Sequence, residues 1–315
     1  MPHSRRTGLS AAALALLLGA ITLPAAAATL EVGPGKKYAA PSAAAAAAAD
    51  GDHIVIAAGE YFDCAIWRAN NLVIEGAGAD KTVITDKVCA GKGLFITDGN
   101  NITIRNLTLT RARVPDYNGA GIRAEGGDLT VEHVRFINDQ DGILANANPQ
   151  ATIVIRDSEF DRDGTCEGGG GCAHAIYINE VKLLRVEHTK ITQTKEGHAI
   201  KSRAARTEVI GCDIEDGPKG TSSYQVDVPN GGSVVLRDST IQKGPNSQNH
   251  TAALMIGEEG VNQRTKEITV QNNTFQVDGD YNSFLVDNMT ATEAELKGNK
   301  LLGNAKALHG DGDVE

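Results

Sequence analysis

A short pattern recurs eight times along this chain, and the repeat constrains the fold more than any other feature. Each unit holds a short strand, a turn, and a second strand that passes a small or polar residue and ends in a large apolar one. The second strands read Asn106–Leu109, His133–Phe136, Asp157–Phe160, His188–Ile191, Gly211–Ile214, Asp238–Ile241, Asn272–Phe275 and Gly298–Leu301. Copies roughly 22–34 residues apart, with alternation of period two and no long helical pattern between them, predict the stacked rungs of a parallel β-helix.

The first strand of each unit predicts which side chains point inward and which point outward. Ile or Val recurs at one position, as in Ile143, Ile176, Ile200 and Val226, and should fill a narrow apolar core. Because successive strand side chains alternate between faces, the following residues should form outward columns. One column is Arg123, Leu144, Tyr177, Lys201 and Asp227, and the next holds Glu125, Asn146, Asn179, Arg203, Pro229 and Glu258.

Composition agrees with an all-β solenoid that forms one domain. The 35 glycines suit tight corners, and the aromatic content of 4% means that the core is built from aliphatic side chains. A chain of 315 residues would usually suggest two domains, but a solenoid grows in one dimension and can remain single. The net charge of −10 argues against a nucleic-acid partner, and we expect a monomer.

The N-terminus has the features of an export signal over residues 1–28. Arg5 and Arg6 precede an apolar run over residues 9–23, which is followed by Pro24 and a string of alanines. An uncleaved membrane anchor is the alternative, although the run is short and rich in Ala for a span. No later segment is long and apolar enough to cross a bilayer, so we expect the mature protein in the periplasm or outside the cell.

The cysteines fit an exported protein with disulfide bonds. Cys166 and Cys172 flank a glycine-rich loop that would let them meet, and a disulfide is favoured over a metal-binding pair because no second pair completes a site. Cys64 and Cys89 lie about one rung apart and are either bridged or merely stacked. Cys212 falls at an inward position, where a buried small side chain is expected.

Residues 29–50 are predicted to form an N-terminal cap with a short Ala-rich helix over residues 38–50. The next segment, Gly51–Tyr61, reads GDHIVIAAGEY and resembles the opening strand of the pectate-lyase-like superfamily. This resemblance implies a single right-handed parallel β-helix, here over residues 51–302, with a capping helix at its apolar end. The polar, Gly-rich tail over residues 303–315 is expected to fray.

The longer insertions precede the first strand of a rung, and loops on one side of a solenoid usually wall its binding face. They cover residues 111–119, 161–172, 216–223 and 243–250. The predicted catalytic residues beside them are Lys201, Arg203, Tyr177, His198, His174 and Asp227. The predicted substrate-binding residues are Arg111, Arg113, Asp116, Arg123, Asn179, Lys219, Tyr224 and Glu258.

Each of these assignments has a structural alternative. Outward charged residues on a β-helix are often solvated and only stabilise strand pairing modestly. The two histidines would then bond to loop carbonyl groups, and Arg111, Arg113 and Asp116 would form a local cluster of ion pairs that orders their loop. The convergence of Lys, Tyr, Arg and two His under elongated loops favours a site.

Two chemistries fit these residues. In β-elimination on a uronic-acid polysaccharide, Lys201 is the natural base, Arg203 or another arginine would hold the substrate carboxylate, and Tyr177 or His198 would protonate the leaving oxygen. Glycoside hydrolysis would instead use Asp227 with Glu125, Asp141 or Glu258 as the second carboxylate. A carbohydrate-binding or envelope-structural protein is the non-enzymatic alternative.

The segment Ile200-Lys201-Ser202 resembles a motif of the chondroitinase B and alginate lyase group. The resemblance implies a polysaccharide lyase acting on an acidic glycan, with Lys201 as the catalytic base. That group uses an Arg-His-Gly segment one rung later, where this chain has Asp227-Val228-Pro229-Asn230-Gly231. Ca²⁺ is a candidate cofactor by the same resemblance, although the group's calcium-holding pattern of carboxylates and Asn is not evident in this sequence.

Overall fold

The computed structural model describes Met1 and residues 27–169 and 171–315. The predicted signal peptide therefore lies outside the described residues except at its two ends. In chain order the elements before the fourth rung are β1 (Thr29–Val32), α1 (Pro41–Ala47), β2 (His53–Ile56), β3 (Gly59–Tyr61), β4 (Ala65–Trp67), β5 (Val73–Gly76), β6 (Thr82–Thr85), β7 (Gly93–Thr97), β8 (Ile102–Thr110) and β9 (Ala120–Ala124).

The next strands continue the same order of elements in each rung. They are β10 (Leu129–Ile137), β11 (Asp141–Ala145), β12 (Asn148–Arg156), β13 (Glu159–Asp161), β14 (Ile176–Ile178), β15 (Val181–Glu187), β16 (Lys190–Thr192), β17 (Ile200–Ser202), β18 (Arg206–Ile210), β19 (Asp213–Glu215) and β20 (Val226–Val228). The last are β21 (Ser233–Arg237), β22 (Thr240–Lys243), β23 (Ala252–Ile256), β24 (Ile268–Gln271), β25 (Thr274–Val277), β26 (Ser283–Asn288), β27 (Ala294–Lys297), β28 (Lys300–Gly303), β29 (Ala305–Gly310) and β30 (Gly312–Val314).

Every pairing between these strands is parallel, and each strand pairs with its counterpart one rung away. One sheet of ten strands runs β4-β7-β9-β11-β14-β17-β20-β23-β26-β29, and we call it the site sheet. The other strands form a sheet of 20 strands, in which most rungs contribute two strands separated by a bend. The fold is a right-handed parallel β-helix, as the sequence predicts.

The repeat in the sequence has a conformational cause at its first position. All eight residues there have positive φ, from 45° at His188 to 66° at Gly298. Asn, Asp, His and Gly are the residues that adopt this left-handed conformation most readily. The repeat is therefore the signature of one sharp bend per rung, placed inside the 20-stranded sheet.

The second position of the repeat connects neighbouring rungs by hydrogen bonds. Ser158 Oγ donates to the Arg156 carbonyl (2.8 Å) and accepts the N–H of Val134 in the preceding rung (3.2 Å). The side-chain amide of Asn273 acts in a similar way. Its Nδ2 donates to the Leu236 carbonyl and its Oδ1 accepts the N–H of Ser239 (both 3.0 Å). Side chains thus satisfy backbone groups that the bend removes from the strand ladder.

The core follows the predicted inward positions. Ile122, Ile143, Ile176 and Ile200 are all fully buried, and Val226 is 1% exposed. Phe136 and Phe160 stack inside with their ring centroids 4.4 Å apart. A Cβ atom at Gly121 or Gly142 would lie 2.7 Å from one of these rings, which explains why glycine precedes the inward Ile in those two rungs.

The ends of the solenoid partly differ from the prediction. The capping helix exists but is shorter than expected, covering only Pro41–Ala47. The expectation that residues 303–315 fray is wrong, because β29 and β30 pair with β26 and β27 and add a further rung. The physical reason is that Ala305, Ala307 and Leu308 pack against the core, so the polar composition of the segment conceals an apolar inner face.

Both pairs of cysteines form disulfide bonds, Cys64 with Cys89 and Cys166 with Cys172. Cys212 is free and buried, as its inward position predicts. The first disulfide connects two adjacent rungs, and the second closes the glycine-rich loop beside the site sheet. Within the described ranges, no helix has the length and apolar character needed to cross a membrane.

The bend predicts a contrast between two substitutions at His188, which has φ of 45° and a largely exposed side chain. The variant His188→Val should be less stable than His188→Gly by roughly 1–2 kcal/mol, because a β-branched residue is strained at positive φ and glycine is not. Urea unfolding of both variants would measure the difference. Equal stability of the two variants would contradict this role of the bend.

Candidate active site

Three adjacent strands of the site sheet bring the candidate residues together. The register pairs Tyr177 of β14 with Lys201 of β17, and Lys201 with Asp227 of β20. Leu144 and Arg123 continue the column in the preceding rungs. The register therefore confirms that these residues form one column, in which neighbouring residues are one strand spacing apart.

Lys201 is held by two carboxylates. Its Nζ lies 2.7 Å from Glu259 Oε1 and 3.4 Å from Asp227 Oδ2. The second oxygen of Glu259 accepts a hydrogen bond from Arg203 Nη2 at 2.6 Å. One carboxylate thus bridges the ammonium of Lys201 and the guanidinium of Arg203.

Arg203 is fixed from the other side by neutral groups. Its Nε donates to Tyr177 Oη at 3.3 Å, and its Nη1 donates to Oδ1 of Asn230. The ring of Tyr177 lies 5.9 Å from both Lys201 Nζ and Arg203 Cζ, within range of a cation–π contact. The phenol, the ammonium and the guanidinium therefore meet at one point in the cleft.

A ladder of side chains at the corner before these strands sets the state of the two histidines. Asp141 accepts the backbone N–H of His174, His174 Nδ1 accepts that of His198, and His198 Nδ1 accepts that of Tyr224. A ring nitrogen that accepts a hydrogen bond carries no proton, so each neutral ring holds its proton on Nε2. The alternative that the two histidines bond to loop carbonyl groups is wrong, because their Nδ1 atoms accept hydrogen bonds from backbone N–H groups instead.

Burial determines the protonation of this corner. It lowers the pKa of His198 to about 3, with the positive charge of Lys201 as the next cause, and lowers that of His174 well below its usual value. Both imidazoles are thus neutral. Their rings stack with centroids 4.8 Å apart, and His198 Nε2 lies 3.4 Å from Asp227 Oδ2.

Asp227 and Glu259 hold the same lysine but differ in basicity. Asp227 is fully buried, and burial raises its pKa to about 7 against the opposing charge of Lys201. Neither oxygen of Asp227 has a hydrogen-bond partner of good geometry among the described residues. Partial burial would raise the pKa of Glu259, but its bonds to Lys201 and Arg203 lower it. Glu259 is therefore the charged carboxylate of the pair.

These groups open into a cleft of about 550 Å³. Its floor includes Tyr177, Lys201 and Arg203, with His174 and His198 at the corner. Its walls come from the insertion at residues 111–119, through Asp116 and Tyr117, and from the loop closed by Cys166 and Cys172. Glu258 and Glu259 form the far end. Two of the four predicted insertions therefore wall this cleft, and residues 216–223 and 243–250 are not part of its lining.

The other predicted binding residues lie in different places. Tyr224 is buried behind the cleft and donates to Glu258 at 2.9 Å. Arg113 lines a second cavity. Four predicted residues are not part of the cleft lining: Arg111 pairs with Asp86 and Glu60, Arg123 lies near Glu125, Asn179 bonds to the Ala145 carbonyl, and Lys219 is solvent-exposed.

Two residues of the site were missed by the sequence prediction. Glu259 and Asn230 both contact Arg203, and both lie in turns that follow strands of the site sheet. The acidic pair Glu258-Glu259, bounded by Gly257 and Gly260 at positive φ, was the available signal. The turn that contains Glu259 follows β23 directly, so its side chain can fold back over the outward side chains of the neighbouring strands.

The described residues also bear on the candidate Ca²⁺ ion. Among them, no group of three or more His, Cys, Asp or Glu side chains is arranged to hold a metal ion. The carboxylates in the cleft are bound to Lys201 and Arg203, so they do not form the oxygen cage that calcium requires.

Neither a protein-family model nor a curated protein sequence matches this chain. Solved structures with a similar fold include the crystal structure of an alginate lyase from Paenibacillus sp. str. FPU-7, which is 17% identical and aligns over 91% of this chain and 99% of that chain with a TM-score of 0.63. The A-module of a mannuronan C-5 epimerase from Azotobacter vinelandii is 16% identical over 87% and 92% of the two chains, with a TM-score of 0.44. The first likeness confirms the predicted fold of a parallel β-helix.

The buried carboxyl of Asp141 predicts a pH effect on stability. Burial raises its pKa from 3.8 to about 7, so the folded protein keeps a proton that the unfolded chain releases near 3.8. The wild type should therefore lose stability relative to Asp141→Asn as the pH rises from about 4 to about 7. The slope should reach up to about 1.4 kcal/mol per pH unit. Urea unfolding at several pH values measures this difference, and a flat difference would contradict it.

Proposed function

We propose that this protein is a polysaccharide lyase that cleaves a uronic-acid polysaccharide by β-elimination. The observation that carries the proposal is the position of the Glu259 carboxylate between Lys201 and Arg203, beside the phenol of Tyr177. The cleft already binds a carboxylate between a base and a guanidinium. A uronate of the substrate would take the place of Glu259 at Arg203, with its reactive carbon beside Lys201.

Lys201 is the base in this mechanism. A uronate bound by Arg203 would present the hydrogen on the carbon next to its carboxylate to Lys201, whose ammonium must first give up a proton. Removal of that proton places charge on the carboxylate, which Arg203 stabilises because it is already fixed by Asn230 and Tyr177. Asp227, buried beneath Lys201, positions the amine without touching the substrate.

Tyr177 is the acid that completes the elimination. As the carbon–oxygen bond to the leaving sugar breaks and the carbon–carbon double bond forms, the phenol gives its proton to the leaving oxygen. Arg203 at 3.3 Å favours the resulting phenolate. His198 suits this role less well, because its Nε2–H faces the buried Asp227. The proton taken by Lys201 and the proton given by Tyr177 balance, and solvent restores both groups.

A glycoside hydrolase is the second candidate, and one observation favours it. Asp227 and Glu259 are two carboxylates on one lysine whose pKa values are shifted in opposite directions, as in many acid and base pairs. However, Asp227 is fully buried and cannot reach a glycosidic bond in this arrangement. Glu125 is bound to Lys92 and does not line the cleft. The lyase is therefore preferred.

The proposal extends to substrate and location. The substrate is a polyanion whose carboxylates match the basic groups of the cleft, and alginate is the first polymer to test because an alginate lyase shares the fold. Two disulfides are typical of an exported protein, so we propose that the enzyme acts as a monomer in the periplasm or outside the cell. A purely structural role would not need ionised groups gathered in a walled cleft.

The mechanism predicts the effects of removing the base and the acid. Lys201→Ala should abolish the ultraviolet absorbance of unsaturated uronate ends, and Tyr177→Phe should lower kcat by roughly 100-fold or more, since general acid catalysis contributes about that much. The assay uses alginate, pectate and chondroitin, with and without Ca²⁺. The exposed residue Lys182 provides the control variant Lys182→Ala, which should retain full activity.

The alternatives give different results in the same assay. New reducing ends without the ultraviolet absorbance would support hydrolysis. Neither signal from any polymer would reject a lyase acting on those substrates. Full activity of Lys201→Ala would reject this mechanism even if elimination occurs.

Glu259 should compete with the substrate carboxylate in this mechanism. The variant Glu259→Gln loses the charge that pairs with Lys201 and Arg203, so KM for the polymer should fall by about two- to fivefold, the range of a partly exposed ion pair. Steady-state kinetics on the same polymers measure the change. A higher KM would show instead that Glu259 binds the substrate.

A further inference from the structure

A second cavity of about 370 Å³ lies beside the cleft, on the turns that precede the same strands of the site sheet. Its lining includes Arg113 and Lys195. Glu167 of the disulfide-closed loop lines both cavities, so the loop separates them only partly. A chain molecule that leaves the cleft over this loop would enter the second cavity.

Two cations in this cavity share one neutral hydrogen-bond acceptor. Lys195 Nζ and Arg113 Nη2 both donate to the same atom, Asn138 Oδ1, at 2.6 and 3.1 Å. Among the described residues, the remaining bond of the Arg113 guanidinium goes to the Ala112 carbonyl, and neither cation forms an ion pair. Most other arginines, such as Arg162 with Asp161, are paired with a carboxylate.

The acids near these two cations form no ion pair with them among the described residues. Burial raises the pKa of Asp139 to about 8 and that of Asp163 well above its usual value, so burial disfavours a charge on either carboxyl. Glu167 and Glu196 also line the cavity, and the carboxylate of Glu196 accepts the N–H of Cys166. Burial and then the charge of Arg113 lower the pKa of Lys195, against the opposing charge of nearby acids that include Glu167.

We infer that Arg113 and Lys195 form a second carboxylate-binding site, which takes a further uronate of the same polysaccharide chain. This inference rests on the proposed function for the nature of the ligand. A carboxylate would displace Asn138 as the shared acceptor and supply the missing negative charge. Two such sites on either side of one loop make the protein selective for oligomers that carry a charge on successive sugars.

The test compares charge removal at this site with a matched control. Arg113→Gln and Lys195→Gln should each raise KM for the polymer about tenfold with little change in kcat, since a charge-assisted hydrogen bond has that effect on affinity. Lys195→Arg should restore the wild-type KM. The effect should vanish for the shortest oligosaccharide that is cleaved, because it cannot reach both cavities. Arg162→Gln, which removes a nearby charge that is paired with Asp161, should change nothing.

Each outcome decides the inference. If the wild type cleaves a polymer and both Gln variants have an unchanged KM, this inference fails and the proposed function stands. If no polymer is cleaved, calorimetric binding of acidic oligosaccharides to the wild type decides. Binding that weakens about tenfold in the Gln variants supports the site without the activity, and absence of binding overturns both proposals. Tighter binding of inorganic phosphate than of any oligosaccharide would indicate a site for a free anion and would also overturn the inference.

Discussion

One left-handed residue in each of the eight repeated units is the constraint on which the rest of this structure depends. The bend at positions such as His188 and Asp238 turns the chain inside the 20-stranded sheet, and the next side chain satisfies the backbone groups that the bend exposes. These bonds reach into the preceding rung, so they fix the vertical register of the whole solenoid. The register on the opposite wall, where the cleft lies, follows from the same stacking.

Buried ionisable groups gather in the site and in the turns that precede the strands of the site sheet. Asp227 and Asp141 are buried carboxyls with unpartnered oxygens, and Lys201 and Arg203 share one partly exposed carboxylate. On the 20-stranded sheet, by contrast, charges such as Arg185 and Glu208 pair across strands near solvent. Buried groups with shifted pKa values cluster where chemistry needs them. The fold tolerates the free-energy cost of burying these groups because the parallel rungs hold them in place.

The fold and the outward column were predictable from the sequence because period-two alternation is local and strict. Once Ile176, Ile200 and Val226 were aligned, the neighbours of Tyr177 and Lys201 followed. Contacts made by turns were not predictable. Glu259 contacts Lys201 although the two residues are 58 positions apart in the sequence, and no periodic pattern indicates this contact. The final rung was missed for a different reason, since its polar composition conceals small side chains that face the core.

Loop residues show the same limit at close range. Arg111 and Arg113 are two positions apart, yet one pairs with Asp86 on the 20-stranded side and the other enters the second cavity. Alternation along an extended segment would place both side chains on one face, but Arg111 has a positive φ of 63°, which interrupts the extended conformation.

The insertions that wall the cleft all lie at one corner, between the 20-stranded sheet and the site sheet. Each rung is held in register by its two neighbours, so a loop at this corner can lengthen or shorten without moving a strand. Duplication and divergence of such loops can therefore remodel the shape and charge of the groove while Lys201 and Tyr177 keep their spacing. For the proposed enzyme, a solenoid of this kind would separate changes in substrate choice from the spacing of the residues that act on the substrate.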